Sequence, residues 1–364
     1  STKLVLNQAD KQKLMEMLEF STFCWNECSK VKFGIKKNSI VDLHNTFYKD
    51  FLSKYDCPAQ IVIAIQRSVL SAYRSAKSNK HKLETPAIKK KMSIQLDKRS
   101  YSYKNGVFSL ISMGKRVKCK PYIYPKLAEF LGKYPFCDPL LFVRDDEIHI
   151  SLTFKIGEEI HPQTLATGID VGCRINAATS EGNLYVDKKF NKEKRELRYL
   201  KRSLQSKAKK GSRSAKKHLH KLRRKEHNKN KNFTHNLTKR LIKESKGDIL
   251  VIENLKSIKV KKNRFQNKNR ISQVPLHEFR RVLTYKTPIY GKTVIEVSPS
   301  YTSQIDHITG KKDGVRKGRR YYSSTGAIFD SDCQAAVVIA QRSKLPVSYG
   351  NILDGQAKVN RLNV

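Results

Sequence analysis

The sequence is poor in acidic residues and has none of the patterns that direct a chain to a membrane. Its 364 residues include 74 Lys and Arg against 32 Asp and Glu, which gives a net charge of +42. No run of about 18 apolar residues occurs, so a membrane-spanning helix is not expected. There is no lipidation motif, and residues 1–20 are too polar for a signal peptide. Positive charge along the whole chain indicates a polyanion-binding surface and favours nucleic acid as the partner, with no membrane.

The seven cysteines are scattered and include no Cys-x-x-Cys pair. An odd number without such a pair argues against a disulfide framework and against a thiolate zinc site. Cys24 and Cys28 are four residues apart in a helical pattern, which favours buried packing over metal binding. We therefore expect a reducing compartment, with a cytoplasmic, nucleoid-associated location.

The first part of the chain is predicted to be helical. Apolar residues with a 3.6-residue period favour helices at about 8–30, 38–54 and 59–76. Lys77–Lys91 is polar, basic and contains a proline, so it is interpreted as a linker. From Ser93 onward the period changes to two, which is typical of strands.

Two hairpins are the clearest signals in the strand-like part. Asn105 and Gly106 separate two alternating segments, a pattern typical of a tight hairpin turn. The predicted elements are a first strand at Leu4–Leu6, a hairpin of Ser100–Tyr103 with Val107–Ile111, a helix near 125–132, and a hairpin of Leu140–Val143 with Ile148–Ile156. We expect a small β-barrel or curved sheet, with the helical part inserted after its first strand.

Beyond Pro162 the pattern becomes α/β. Lys188 to Lys246 is predicted as one helical region broken near Gly211, with 22 basic and 3 acidic residues between Lys188 and Arg240. Lys256–Arg270 is basic and is expected to be flexible. The other predicted elements are a meander of three strands (Thr167–Val171, Ile175–Thr179, Asn183–Val186), strands at Asp248–Ile252 and Thr293–Val297, and helices at Leu276–Tyr285 and Ala335–Arg342. This order matches a ribonuclease-H-like fold.

Three carboxylates lie in apolar surroundings within this basic chain. Asp170 falls in the first strand of the meander, Glu253 at the end of a later strand, and Asp332 at the start of the last helix. Singly, each has an ordinary explanation as a turn residue, a solvated strand end or a helix cap. Together they suit the hard oxygen ligands of two Mg²⁺ ions that clamp a phosphodiester during in-line displacement.

Small residues are expected to shape this site. Ala335 and Ala336 would allow the last helix to lie close to the sheet, and so bring the third carboxylate near the others. Gly168 and Gly172 would allow a substrate to approach Asp170.

An ordered set of motifs resembles the TnpB family, the transposon-associated, RNA-guided DNA endonucleases related to the ancestors of type V CRISPR effectors. Any single motif is weak, whereas the ordered set, with its Tyr-Thr-Ser-Gln, is specific and spans nearly the whole chain. The motifs are Phe23–Asn26, Thr234–Leu237, Val251–Leu255, Leu283–Lys286, Ser298–Gln304 and Asp332–Ala336.

The resemblance implies a RuvC-like nuclease domain in which Asp170, Glu253 and Asp332 are both catalytic and metal-binding. It implies Mg²⁺, as two ions that Mn²⁺ could replace, a guide RNA and a double-stranded target DNA. The implied domains are the first strand of a wedge β-barrel (1–8), a helical recognition domain (9–88), the rest of the barrel (89–160), the first part of the nuclease domain (161–301), a degenerate zinc-ribbon-like insertion (302–329), and the last part of the nuclease domain with the C-terminal tail (330–364).

The insertion departs from the family pattern, which commonly has four cysteines there. Their places are held by Asp306, Thr309, Tyr322 and Thr325. Asp306 and His307 alone would make a poor zinc site, so no zinc is expected. Gln334 stands where the family usually has Asn.

Nucleic-acid contacts are predicted on the basic helical region, on the strand-like part and on the insertion. Tyr101, Tyr103, Tyr122 and Tyr124 alternate with basic residues, as expected where bases stack, although about half of these rings should belong to the core. The predicted contact residues are Lys201, Arg202, Lys209, Lys210, Arg213, Lys216, Lys217, Lys221, Arg223, Arg224, Tyr101, Tyr103, Arg319 and Arg320.

The sequence thus predicts an RNA-guided, Mg²⁺-dependent DNA endonuclease that cleaves beside a short flanking motif. One alternative is a miniature type V CRISPR effector, which shares every motif. Another is a guide-directed DNA-binding repressor without cleavage, against which the complete carboxylate trio argues. A structural RNA-binding protein would explain the charge but not the acidic residues. Monomer and homodimer both stay open.

Overall fold

The chain divides into two structural units, Ser1–Ile156 and Gly157–Val364. The computed structural model describes residues 1–35, 39–81, 83–157, 165–172, 174–254 and 276–362. Cys173 and the segment Lys256–Arg270, predicted to be flexible, lie outside the described residues. In the part of the chain that is described, no helix is both long and apolar enough to cross a bilayer.

The helical part of the first unit forms as predicted. Its helices are α1 (Gln8–Gly34), α2 (Ile40–Lys54) and α3 (Ala59–Ser78). Asn7 caps α1, because its side chain accepts a hydrogen bond from the Asp10 N–H at 2.7 Å. The stretch after α3 is not a free linker: the backbone N–H of Lys89 donates to Asn26 Oδ1 of α1 at 2.8 Å. Both Cys24 and Cys28 are buried in the core, as expected.

Seven strands of the first unit form a half-barrel sheet. They are β1 (Thr2–Val5), β2 (Ser93–Gln95), β3 (Tyr101–Lys104), β4 (Val107–Leu110), β5 (Val117–Pro121), β6 (Leu140–Arg144) and β7 (Glu147–Ser151), with helix α4 (Pro125–Lys133) after β5. Their order is β2-β6-β7-β1-β5-β4-β3, so the first strand lies between two late ones. Leu4, Leu141 and Ile150 share one core with residues of α1, α2 and α3.

Both predicted hairpins close through the same turn chemistry. Asn105 and Gly106 have φ values of 49° and 77°, and Asp145 and Asp146 have 50° and 58°. Positive φ at both central residues gives the two-residue turn whose twist matches that of the flanking strands. The last strand of the second hairpin ends at Ser151, earlier than predicted.

The strands of the second unit form two sheets. They are β8 (Ala166–Asp170), β9 (Ala177–Thr179), β10 (Asn183–Val186), β11 (Ile249–Glu253), β12 (Thr293–Val297), β13 (Val315–Lys317), β14 (Arg320–Tyr322), β15 (Ile328–Asp330) and β16 (Lys358–Arg361). Six form a mixed sheet in the order β12-β11-β8-β9-β10-β16, and β13-β14-β15 form a small antiparallel sheet. The meander β8-β9-β10 is antiparallel as predicted, whereas β16 was not foreseen.

The described residues of the second unit form four α-helices, three of which begin at a side-chain cap. They are α5 (Lys188–Lys209), α6 (Arg213–Glu244), α7 (Leu276–Lys286) and α8 (Ser331–Gln341). The break predicted near Gly211 separates α5 from α6, and Gly211 has a φ of +95°. Helix α8 begins before the predicted Ala335, because the Asp330 side chain caps it by accepting the Asp332 N–H at 3.0 Å.

Candidate active site

Asp170 and Glu253 end two neighbouring parallel strands at the same level. Strands β8 and β11 pair in register, with Ile169 opposite Ile252. Asp170 and Glu253 each follow that pair by one residue and are the last residues of their strands. The carboxyl ends of the two strands therefore carry one carboxylate each at the same edge of the sheet.

Both carboxylates point to the face of the sheet that α8 covers. Side chains alternate between faces along a strand, so Ala166 lies on the same face as Asp170, and Val251 on the same face as Glu253. Ala166 and Val251 pack in one apolar cluster with Ile339 of α8. Helix α8, which carries the third carboxylate in its first turn, thus lies over the first two.

Gly168 allows α8 to lie directly on β8. A Cβ placed at Gly168 would be 1.9 Å from the Ala336 carbonyl oxygen and 2.8 Å from the Ala340 nitrogen. The expectation of a close helix is met, but Gly168 does not open a path for substrate as expected, because the helix fills that space. A Cβ at Gly172 would be 2.7 Å from the Ile175 carbonyl oxygen, so this glycine serves its own turn.

Asp170 and Asp332 line one open cavity of about 740 Å³. Its wall also carries five cations, which are Arg174, Lys188, Arg316, Arg319 and Arg361. Two carboxylates ringed by cations can hold a positively charged group at the centre and phosphate oxygens around it.

Arg316 of β13 already contacts this site, because its Nη2 donates to Asp332 Oδ1 at 2.8 Å. Sequence reasoning did not identify Arg316 as a residue of the site. No signal could have shown the contact, since the two residues are 16 positions apart and lie on different elements.

Glu253 lines a separate cavity of about 350 Å³, together with His277 and Arg280. The Thr302 hydroxyl donates to Glu253 Oε1. Thr302 belongs to the Tyr-Thr-Ser-Gln motif. The sequence analysis used this motif to identify the family resemblance but gave it no structural role. Across the described ranges, no three His, Cys, Asp or Glu side chains stand together as a ready metal site.

The carboxylates nevertheless influence one another. Burial first, then the charges of Asp332 and Glu253, raise the pKa of Asp170 to about 7, against the opposing charge of Arg316. Burial also raises the pKa values of Asp332 and Glu253. A buried set of carboxylate oxygens whose charges repel one another is chemically suited to a divalent cation, and here a guanidinium contacts one of them.

The predicted contact residues of α5 and α6 are mostly exposed. The exposed ones are Arg202, Lys209, Lys210, Arg213, Lys216, Lys217, Lys221, Arg223 and Arg224. Lys201 is half-buried, and its Nζ forms an ion pair with Glu226 Oε2 at 2.7 Å that ties α5 to α6. Arg319 and Arg320 are ion-paired with Asp330 and Asp354, at 3.2 and 2.6 Å.

Tyr101 and Tyr103 do not present open rings. Both are half-buried against the core, with ring centroids 6.5 and 4.5 Å from that of Phe108. Phe136 packs against both rings as well, at 6.2 and 5.7 Å. This packing does not support the predicted stacking of bases on these two tyrosines.

Side-chain oxygens close the turns where the family has cysteines. The Ile308 N–H donates to Asp306 Oδ1 at 2.9 Å, and the Lys311 N–H donates to Thr309 Oγ1 at 3.2 Å. In the second turn the Thr325 N–H donates to Ser323 Oγ at 3.1 Å. The segment Thr302–Phe329 is therefore shaped by oxygen acceptors at or beside the positions where thiolates are usual.

The same segment is held against α8 by packing. Tyr321 is fully buried and shares an apolar cluster with Phe329 and with Val337 of α8. The Gln334 side chain donates to the Ile305 carbonyl oxygen, so this residue joins α8 to the segment rather than to the carboxylates.

Comparison with known proteins places two matches in the chain. Residues 145–264 match a family described as a probable transposase, OrfB_IS605, and residues 277–339 match the Cas12f1-like TNB domain. The first match contains Asp170 and Glu253, and the second contains Asp332. No match is found among curated protein sequences.

Two solved structures are also similar. One is a cryo-EM structure of a CRISPR-Cas12f ternary complex, with a TM-score of 0.36 and 15% identity over 92% of this chain and 82% of that one. The other is a Cas12f1–sgRNA–target DNA complex, with a TM-score of 0.35 and 13% identity over 92% of this chain and 96% of that one.

The resemblance to the TnpB family that was predicted from the ordered motifs is confirmed by these two matches.

Proposed function

We propose that this protein is an RNA-guided DNA endonuclease that depends on a divalent metal. The observation that carries the proposal is the meeting of Asp170 and Asp332 in one cavity ringed by five cations, with Glu253 level with Asp170 on the neighbouring strand. Carboxylates in this setting serve to hold a metal ion, and the surrounding cations suit a phosphodiester backbone.

The strand order supports a ribonuclease-H-like, RuvC-type reading of the second unit. In space the six strands of the sheet run β16-β10-β9-β8-β11-β12, so the meander β10-β9-β8 is followed by the parallel strands β11 and β12. A topology does not by itself specify a reaction, so the proposal depends on the site. Asp170 lies on a central strand, Glu253 on the neighbouring strand and Asp332 on the helix α8 that covers them, so a substrate at that edge would lie near all three.

Each residue of the site has a distinct task in this proposal. Asp170, Glu253 and Asp332 would hold the metal, which when bound supplies an activated water and neutralises charge on the phosphate. Thr302 orients Glu253 through its hydroxyl. Arg316 balances the charge of Asp332 while no metal is held. Arg174, Lys188 and the other cations of the wall would position the nucleic-acid backbone.

Single substitutions of the three carboxylates test the assignment. Asp170→Ala, Glu253→Ala and Asp332→Ala are each expected to reduce cleavage of a guide-matched target by on the order of 1000-fold, because metal binding supplies several kcal/mol at the transition state. Guide retention should stay unchanged, since it depends on distant Lys and Arg.

Asp313→Ala is the matched control, because Asp313 is an exposed carboxylate that pairs with Thr309 outside the cavity. It should cut like the unmodified protein. Near-normal cleavage by any one of the three site variants would remove that residue from the proposed site.

A second candidate function is guide-directed DNA binding without cleavage. It is favoured by the Arg316–Asp332 pair and by the lack of a ready three-ligand cluster within the residues that the structure describes. Calorimetric titration of the guide-bound protein with Mn²⁺ separates the two functions. Binding that is lost in Asp170→Ala supports the endonuclease, whereas no binding together with intact target recognition supports the second candidate.

A further inference from the structure

Arg316 holds one of the three carboxylates that are proposed to bind metal. Its Nη2 donates to Asp332 Oδ1 at 2.8 Å, and both side chains line the same open cavity as Asp170. A carboxylate oxygen that accepts a guanidinium N–H has less capacity left to serve as a ligand, and the guanidinium charge repels a cation. The ion pair and a metal ion therefore compete for Asp332.

The Arg316–Asp332 pair is not needed to attach the hairpin of β13 and β14 to α8. The Ser331 N–H, at the start of α8, donates to the Arg319 carbonyl oxygen at 2.8 Å, and the Arg319 guanidinium pairs with Asp330 at 3.2 Å. Strand β14 also pairs with β15, the strand that leads into α8. These contacts keep the hairpin in place when Arg316 leaves the carboxylate.

The pair is also open to solvent. The Arg316 and Asp332 side chains are 37% and 21% exposed, and all three residues of β13, the outer strand of the small sheet, are exposed. Ion pairs that water can reach contribute little to stability, because their attraction is screened. A competing partner of modest strength can therefore take the guanidinium.

The cavity wall favours a phosphate group as this competing partner. Arg174, Lys188 and Arg361 line the same cavity, so an anion that enters it meets several positive charges. A guanidinium binds phosphate oxygens through the same paired N–H donors that it offers to a carboxylate. A phosphodiester in the cavity would draw Arg316 away from Asp332 and leave this carboxylate free.

We propose that Arg316 is a positioning residue that withholds Asp332 from the metal until a nucleic-acid phosphate takes its guanidinium. Metal and nucleic acid then bind cooperatively, because each favours the state in which the Arg316–Asp332 pair is open. Without nucleic acid the site holds its metal only weakly. The inference rests on the metal-dependent function proposed above.

The first experiment measures Mn²⁺ binding to the whole chain, freed of copurified RNA, by calorimetry and by electron paramagnetic resonance. Binding that persists in Asp170→Ala is subtracted, because it belongs to other sites. Arg316→Gln removes the guanidinium charge and should bind Mn²⁺ roughly 5- to 50-fold more tightly than the unmodified protein. Arg316→Lys keeps a positive charge and should have an affinity between the two.

Lys317→Gln is the matched control for the loss of one positive charge. Lys317 follows Arg316 on β13, so its side chain points to the other face of the strand, where its Nζ lies 5.5 Å from the Tyr322 ring centroid. This variant should bind Mn²⁺ like the unmodified protein. Thermal unfolding in EDTA verifies that every variant is folded.

The second experiment repeats the titration with a short DNA strand, which supplies the phosphate. After the Mn²⁺ bound by the DNA alone is subtracted, the unmodified protein should bind Mn²⁺ roughly 5- to 50-fold more tightly than without DNA. The gain should be clearly smaller in Arg316→Gln, because Asp332 is already free in that variant.

Equal Mn²⁺ affinity of Arg316→Gln and the unmodified protein, measured without DNA, would overturn the proposal and leave the metal site in place. If no binding depends on Asp170, with or without DNA, both the metal-dependent function and this inference fail. Tighter binding by Arg316→Gln in a protein that cuts no target would support the inference and remove only the proposed cleavage.

Discussion

The two larger sheets of this protein differ in how their faces are covered. In β5 of the first unit, Val117 and Cys119 are buried while Lys118 and Lys120 are exposed, so one face lies on the core and the other is open. In β11 of the second unit, the consecutive residues Ile249–Ile252 are all buried. A strand that is covered on both faces has no solvated side on which a charge can rest.

This difference decides how a charged residue should be interpreted. A lysine on the open face of the first sheet costs little free energy, so its presence does not point to one particular partner. A carboxylate at the end of a doubly covered strand is costly unless something compensates it. The raised pKa of Asp170 reflects that cost, and the positive charges in the wall of the cavity are of the sign that would compensate it.

The strongest test of the comparison is Gly168→Ala. Because the new Cβ would lie 1.9 Å from the Ala336 carbonyl oxygen, α8 must move, and we expect a loss of about 3 kcal/mol of folding free energy in the second unit. Gly114→Ala in the first unit is the control, since no atom lies within 4 Å of its added Cβ, and it should change stability by less than about 0.5 kcal/mol. Equal effects in calorimetric unfolding would show that α8 does not cover β8 so tightly.

The basic helices α5 and α6 offer a test of phosphate contact. Reversal of Lys209, Lys210, Lys216 and Lys217 to Glu should make the salt dependence of guide binding less steep, by about 3 to 4 in the slope of log affinity against log salt. Changing the same four residues to Arg keeps the charge and should leave the slope unaltered. An unchanged slope after charge reversal would mean that these helices are only a solvated face.

Asp170→Asn tests the cost of the buried carboxylate in metal-free protein. The folded-state pKa of Asp170 is raised to about 7 from an ordinary value of 3.8, so the folded state binds more protons between those values. Stability from this group is therefore greatest at low pH and is lost as pH rises through about 7. In EDTA the Asn variant should unfold about 2–6 °C higher at pH 8, and this difference should be clearly smaller at pH 5. The same difference at both pH values would contradict the raised pKa.

The smallest expected effect is on the stability of the segment Thr302–Phe329. Because Tyr321 packs in its core and side-chain oxygens close its turns, EDTA should stop cutting without lowering the unfolding temperature. Elemental analysis should find no stoichiometric zinc. One tightly held zinc per molecule would instead assign Asp306 and His307, whose Oδ1 and Nδ1 atoms are 4.0 Å apart, as ligands.

Local signals accounted for most of the elements. The cap at Asn7, the turn at Asn105-Gly106 and the break at Gly211 each depend on a few adjacent residues, and each occurs where it was predicted. Strand β16 was missed because its residues, Lys358–Arg361, are short and polar, and it forms only by pairing with β10.

Contacts between distant residues were beyond the reach of local patterns. Alternation places Tyr101 and Tyr103 on the same side of a strand, but it does not tell which side of the strand faces the core. In the structure the side that carries these two tyrosines faces the core. The Arg316–Asp332 and Thr302–Glu253 contacts join residues on different elements, so no periodicity encodes them.

The sequence alone determined the basic character of the chain, the kinds of elements, the resemblance to the TnpB family and the three carboxylates worth testing. These depend on composition, on local periodicity and on ordered motifs. Tertiary structure decided that the lack of a side chain at Gly168 makes room for α8 and not for a substrate, and that Arg316 shares a cavity with Asp170 and Asp332. Each of these depends on strand register and helix packing, which bring together residues that are far apart along the chain.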